Sequence, residues 1–329
     1  MSNVLILSRA DVESVLTMKE TITAMENAFR ELSNNSAILP QRTLISAENG
    51  ISLYMPAFLP QMGSLAVKIV TVFEQNPKRY NLPIILGKVL LQNPETGDVI
   101  SIMDGSYLTA MRTGAVSGCA MQYLAKEDAH TIGLFGTGIQ GATQLWAAYE
   151  ARPNIQLCKV YDIRKDVAED FAKKMSKKLH IPSIKVAESP HDVVKGSDIV
   201  LTATTSTIPV FQGEWLETGT HISAIGAYTP ESREIDTVTI KKAKVVCDEM
   251  NACLVEAGDL IIPINEGVIT KEHIHAELGQ IITGKKVGRE NELEITLFKS
   301  VGLAIQDAAI AQLVYNKACK MGKGIEIEI

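Results

Sequence analysis

The sequence predicts an α/β protein: a doubly wound parallel sheet in the second part of the chain, a smaller α+β domain ahead of it, and a long helix toward the C-terminus. Three observations carry that expectation. Between Arg42 and Gln92, β-rich runs follow one another with no helical stretch between them. After Ser106, apolar strand runs alternate with helical runs at the spacing of βαβ units. Ser300 to Lys320 is one long apolar-rich run that needs a surface to pack on, either the first domain or a second subunit. At 329 residues, one large or two medium domains are expected.

Taken in order, Val12 to Leu32 reads as one helix, with Asp11 able to cap it and Val15, Ile22, Met25 and Phe29 recurring at three- and four-residue spacing. Strands follow at 43–46, 51–55, 65–73 and 87–91, punctuated by Asn49-Gly50 and by the Pro94 to Gly97 turn, with 99–103 added to an antiparallel or mixed sheet. A helix over about 107–124 leads into strand 131–135, helix 139–151, strand 156–161, helix 165–179, strand 184–187, helix 190–194 and strand 198–203. Strands 221–225 and 244–247 continue the alternation.

Composition excludes several function classes. The formal charge is −6, which disfavours nucleic-acid binding, and 5% aromatic content disfavours base-stacking modules. Cys119, Cys158, Cys247, Cys253 and Cys319 are odd in number and scattered, which suggests reduced thiols in a cytoplasmic protein. The first residues lack the basic head and apolar length of a signal peptide. The uncharged run Ala129 to Tyr149 is long enough for a bilayer but carries Gly133, Gly136, Gly138, Gly141, Gln140 and Gln144, so no membrane span is expected.

Strand 131–135 runs into Gly136-Thr137-Gly138-Ile139-Gln140-Gly141 and then a helix, which is G-x-G-x-x-G in the strand–helix context that binds a dinucleotide in Rossmann sheets. Gly136 permits the turn, Gly138 lets backbone approach a pyrophosphate, and Gly141 lets helix pack on strand. The helix N-terminus offers free N–H groups to phosphate. The next strand ends in Asp162, 21 residues after Gly141, where a carboxylate reaches the adenosine ribose. Its charge favours NAD(H); Arg164 could offset it and keeps NADP(H) open. Thr202, Ala203 and Thr204 at one strand end, and Ile225, Gly226 and Ala227 at another, are small enough to wall the cofactor.

Arg42, Lys68 and Arg112 each stand in an apolar or uncharged run, where a cation needs a partner or an exposed face. Converging in a cleft they would make a carboxylate site, with arginine giving bidentate geometry. Other constellations fail. His273 and His275 fall in a run that reads as helix, where i and i+2 diverge, and Cys247 and Cys253 lack a zinc-like pair. The Glu231 to Asp236 cluster reads as a solvated loop.

With these residues in view, the chain resembles the ornithine cyclodeaminase/μ-crystallin family over nearly its whole length. The resemblance rests on Ala66-Val67-Lys68, Met111-Arg112-Thr113-Gly114-Ala115, Gly136 to Gln140, Ala203 to Ser206, Ile225-Gly226-Ala227 and Gly302 to Asp307. It implies a substrate and dimerisation domain over 1–120, to which 300–329 returns, and a Rossmann domain over 121–299. It implies a homodimer, with Arg42, Lys68 and Arg112 holding an amino-acid or imino-acid carboxylate and Lys68 and Arg112 taking part in catalysis. Tyr228 and Val301 would line the substrate pocket. Cyclodeaminases and alanine dehydrogenases of the family have an aspartate where Tyr228 stands. That departure favours reduction of a preformed cyclic imine, Δ1-pyrroline-2-carboxylate to L-proline, over ornithine cyclodeamination or alanine dehydrogenation. A non-catalytic binding protein is the rival from another class.

Overall fold

The computed structural model describes residues 3–329 and separates into two compact units, one reaching to Arg112 and resuming over Leu303–Ile329, the other spanning Thr113–Gly302. The chain opens on a strand that the periodicity does not announce, β1 (Asn3–Leu7), followed by α1 (Arg9–Val15) and α2 (Met18–Ser33). The single helix expected from Val12 is thus two. Ser8 caps α1 in a reciprocal box with Asp11, and the Thr17 hydroxyl accepts from Glu20 N–H to start α2, so Asp11 is the second half of a box rather than the cap. Then come β2 (Thr43–Ala47), β3 (Gly50–Leu59), β4 (Ser64–Val72), the short α3 (Asn76–Arg79), β5 (Ile85–Gln92) and β6 (Val99–Asp104). Helix α4 (Gly105–Leu124) carries the chain from the first unit into the second without a break. No turn or linker marks the change, and the units part at Arg112, ahead of the boundary at 120 that the resemblance implies.

The second unit contains β7 (Thr131–Phe135), α5 (Ile139–Ala151), β8 (Leu157–Tyr161), α6 (Lys165–Lys178), β9 (Ser183–Val186), α7 (Pro190–Val194) and β10 (Ile199–Thr202). It continues through β11 (His221–Ala224), α8 (Thr237–Lys242), β12 (Lys244–Cys247), α9 (Met250–Glu256), α10 (Gly258–Asn265), β13 (Ile274–Glu277), α11 (Leu278–Ile282) and β14 (Thr296–Lys299). Its eight strands are parallel in the order β13-β12-β14-β11-β10-β7-β8-β9. Both faces are apolar: Ile199 and Leu201 of β10 enter one buried cluster with Leu134, Leu145 and Val160, while Val200 enters another with Phe135, Ile222 and Leu297. A sheet buried on both faces with β8 and β10 on opposite sides of β7 is doubly wound, and its ligand crevice opens where the strand order reverses, at the carboxyl end of β7. The uncharged run 129–149 divides into β7, the glycine turn and α5, and no described helix is long and apolar enough to cross a membrane. His273 closes a 3₁₀ turn and His275 lies on β13, so the helix expected for that pair is absent.

The chain returns to the first unit as α12 (Ala304–Met321) and β15 (Ile325–Glu328). Ser300 to Gly302 stay outside the helix because the Asp248 carboxylate accepts from the Ser300 hydroxyl and from the N–H groups of Val301 and Gly302, at 2.7–2.9 Å. Helix α12 packs on α2, β3 and β4. The first unit's sheet runs β15-β1-β6-β5-β4-β3-β2 and is mixed, since β1 pairs parallel with β6 while the other pairs are antiparallel.

Candidate active site

Strand alternation along β4 buries Ser64, Ala66 and Lys68 on one face, and the register sets Lys68 between Met55 of β3 and Val89 of β5. Lys68 is 2% exposed and its ammonium donates to Asp307 Oδ2 on α12 at 2.7 Å. Asp307 and Gln306 lie on the first turn of α12, where Asp307 is also 3.5 Å from Arg112 Nε and Gln306 Oε1 accepts from Arg112 at 2.6 Å. Burial lowers the Lys68 pKa to about 8; the Asp307 charge opposes that shift, and the positive charges of Arg112 and Arg42 add to it. Arg42 is half-buried and near enough to be felt by Lys68. Lys68 and Arg112 therefore meet at Asp307, with Arg42 close enough to act on Lys68, and Gln306 joins them.

Three polar atoms of this cluster have no hydrogen-bond partner although they are buried: Gln306 Nε2, and Arg112 Nε and Asp307 Oδ1, which face each other as an ion pair at 3.5 Å. Orphaned buried groups of this kind are rare in a settled core and mark a place for a polar ligand. Two are N–H donors in a field of three cations and one carboxylate, so the ligand suited to them is an anion with planar acceptors.

In the second unit the glycine loop has the form a pyrophosphate needs. Gly136 sits at φ 89°, and a Cβ there would lie 2.4 Å from Ala203 O. A Cβ on Gly141 would lie 2.1 Å from Gly136 O, whereas one on Gly138 would meet nothing within 4 Å. Helix α5 begins with Gly138 as its cap and no side chain on its first N–H groups. Ile139 is exposed and Gln140 carries a buried Oε1 without a partner. Asp162 accepts from Thr137 N–H at 3.1 Å and Thr137 Oγ1 at 2.8 Å through one oxygen, and from Arg164 N–H at 3.1 Å through the other. Burial raises the Asp162 pKa, but these hydrogen bonds and Arg164 outweigh it and keep the group ionised. Arg164 itself is exposed. Open space before Gly138, uncapped helix N–H groups and a fixed carboxylate at the end of β8 together fit a dinucleotide.

On the other side of β7, the strand-end residues divide into lining and support. Ala203, Thr204 and Gly226 retain partial exposure, whereas Thr202, Ile225 and Ala227 are buried. The Thr202 hydroxyl donates to Glu234 Oε2, and Ala227 O accepts from Lys299 Nζ, so these two hold the wall from behind. Glu234 is fully buried, which corrects the reading of 231–236 as a solvated loop; Asp236 of that stretch caps α8. Tyr228 is 55% exposed, and Val301 is partly buried with its N–H on Asp248. His221 is enclosed between Thr296 and Ser223, and burial with the charges of Arg289 and Arg152 holds its pKa well below the usual imidazole range, which removes it as an acid or base near neutrality. Among the described residues no cluster of His, Cys, Asp and Glu could hold a metal ion.

The family model for the ornithine cyclodeaminase/mu-crystallin family matches residues 2–322. The chain belongs to that family. Within it, the chain is 39% identical to a Δ1-pyrroline-2-carboxylate reductase of Bacillus cereus over 327 residues, 98% of this chain and 99% of that one. Among solved structures of this fold, the Thermococcus litoralis Δ1-pyrroline-2-carboxylate reductase in complex with NADH and L-proline superposes with a TM-score of 0.93 at 49% identity, covering 98% of this chain and all of that one. An archaeal alanine dehydrogenase dimer with bound NAD gives the same TM-score at 36% identity and covers both chains fully.

Proposed function

We propose that the protein is an NAD(H)-dependent reductase of a small cyclic imino acid, with Δ1-pyrroline-2-carboxylate reduced to L-proline. The observation that carries this reading is the buried cluster of Lys68, Arg112, Gln306 and Asp307, whose N–H groups on Arg112 and Gln306 without hydrogen-bond partners suit a planar carboxylate. Arg112 and Lys68 bind and orient that carboxylate, and Arg42 adds charge from its half-buried position. A bound reduced nicotinamide supplies the hydride for the C=N carbon, whose nitrogen accepts the electron pair as a protonated iminium. The chain's part is to hold the ring by its carboxylate and to favour the iminium next to the Asp307 oxygen that lacks a donor. Tyr228 supports reduction over cyclodeamination, because a phenol hydroxyl is less suited than a carboxylate to receive a proton from a substrate ammonium.

The similarity to reductases and to NAD-bound relatives supports NAD(H), and Asp162 supports it over NADP(H). We place the protein in a reducing, cytoplasmic setting, since no described pair of cysteines forms a disulfide and four thiols are buried. We also infer a homodimer through the first unit: edge strand β2 is exposed along its length, with Leu44 and Ile45 each about half exposed, and Ile38, Tyr80, Leu82, Ile84 and Ile85 add further exposed apolar surface. The test is NADH oxidation with Δ1-pyrroline-2-carboxylate, set against pyruvate plus ammonia and against ornithine plus NAD. Clear turnover of the imine with little ammonia release from ornithine is expected. Proline formation from ornithine at a comparable rate contradicts the reading.

A further inference from the structure

Glu234 is a buried carboxylate that joins two strand-end loops of the second unit. Its Oε1 accepts from the N–H and hydroxyl of Thr204 at 2.6 and 2.7 Å, and its Oε2 accepts from the N–H of Gly226 and the hydroxyl of Thr202 at 2.7 and 2.8 Å. One side chain thus ties the loop after β10 to the loop after β11. Each oxygen receives a backbone N–H, a donor that cannot turn around, so both must be full acceptors. An ionised carboxylate meets that requirement best, whereas an amide in its place leaves one N–H facing a donor. Gly226 makes the approach possible, since a Cβ there would lie 2.5 Å from Glu234 Oε1 and 2.3 Å from Thr204 O.

The charge is anchored from behind. Asp259 Oδ1 accepts from Glu234 N–H and Ile235 N–H at 2.7 and 2.9 Å, and its Oδ2 accepts from Lys299 Nζ at 2.7 Å. Lys299 also donates to Ala227 O at 2.6 Å, and both members of that ion pair are fully buried. Burial and Asp259 push the Glu234 pKa up, opposed by Lys299 and the Thr204 hydrogen bonds. Two carboxylates against one ammonium leave a single net negative charge in a site of low dielectric.

Its place in the sheet says what that charge faces. Asp162 ends β8 on one side of β7 and takes the adenosine end, so a dinucleotide crossing the glycine loop extends its other end toward β10 and β11. We propose that Glu234 is a positioning residue that fixes these two loops against the nicotinamide and, through its uncompensated charge, favours the cationic oxidised ring over the neutral reduced one. The pairing fits an enzyme whose hydride donor becomes positive as it reacts.

This inference rests on the dinucleotide reading of the second unit. The experiment is to titrate NADH by fluorescence and NAD+ by competition on the full chain, with Glu234→Gln and Glu234→Asp beside the unchanged sequence. Glu234→Gln is expected to weaken NAD+ at least tenfold and NADH about threefold or less, raising the Kd ratio. Glu234→Asp keeps the charge and shortens the reach, so both cofactors should weaken in parallel with the ratio unchanged. Equal losses in Glu234→Gln overturn the charge claim, and unchanged binding in Glu234→Asp overturns the tie between loops; the latter measurement stands even if the glutamine variant does not fold. An unchanged chain that binds neither NADH nor NAD+ overturns the dinucleotide reading along with this one.

Discussion

Lys68 carries a proton that its surroundings hold loosely, and this gives the site a pH limit. With a folded pKa of about 8, below the unfolded 10.5, the folded chain binds the proton less tightly than the unfolded chain does. Between those values the unfolded state holds more protons, so the contribution of Lys68 to stability rises with pH, and its charged form opposes folding below pH 8. Thermal melts of the protein and of Lys68→Met should show that extra rise only in the former. In catalysis the direction is opposite: kcat/KM for the imino acid should fall with unit slope above about pH 8 as the cation is lost, while NADH affinity stays flat. A profile level to pH 10 removes Lys68 from carboxylate binding. Arg112→Lys should lower kcat/KM by roughly tenfold to 150-fold, for about 1.5–3 kcal/mol of lost charge-assisted hydrogen bonding, and leave NADH binding intact; wild-type kinetics would contradict that. Lys68 and Arg112 were legible because a cation in an apolar run stands out. Asp307 and Gln306 were visible only as part of a motif, since a lone Gln-Asp step early in an apolar helix reads equally as its solvated start. Glu234 was misread because Glu231, Arg233 and Asp236 around it are polar, and no local pattern reveals that one of four neighbours turns inward.

At the level of elements, the β7–loop–α5 unit was legible to the residue because glycine fixes each of its corners. Its glycines now divide by purpose. Gly141→Ala would press a Cβ against Gly136 O at 2.1 Å and should lower Tm, whereas Gly138→Ala meets no atom within 4 Å and has a φ of −81° that alanine adopts freely. Gly138→Ala should therefore melt like the parent yet bind NADH at least tenfold more weakly, read by fluorescence titration, because the methyl occupies the space offered to the pyrophosphate. Normal NADH affinity in that variant would show that no phosphate passes there. The front of the first unit was less legible. Val12 to Leu32 keeps a helical apolar spacing through Leu16-Thr17, so only the caps at Ser8 and Thr17 reveal two helices. β1 is a short run whose strand character depends on pairing with β6 and β15, distant in sequence.

For the whole molecule, fold class and the course of the chain were readable from alternation and spacing, but not the place where one unit yields to the other inside α4. The homodimer inferred from the exposed apolar surface around β2 predicts a two-copy mass by light scattering, and Ile45→Asp should shift it toward one copy; a monomeric parent contradicts the inferred dimer. The central claim is that hydride reaches the C=N carbon of a carboxylate-anchored imine. Its most direct test is to supply NADH deuterated at C4, each epimer in turn, with Δ1-pyrroline-2-carboxylate and to locate the label in the product by NMR. One epimer should give L-proline with a single deuterium at Cα and the other unlabelled L-proline; absence of proline, or proline without Cα deuterium from either epimer, would contradict the account.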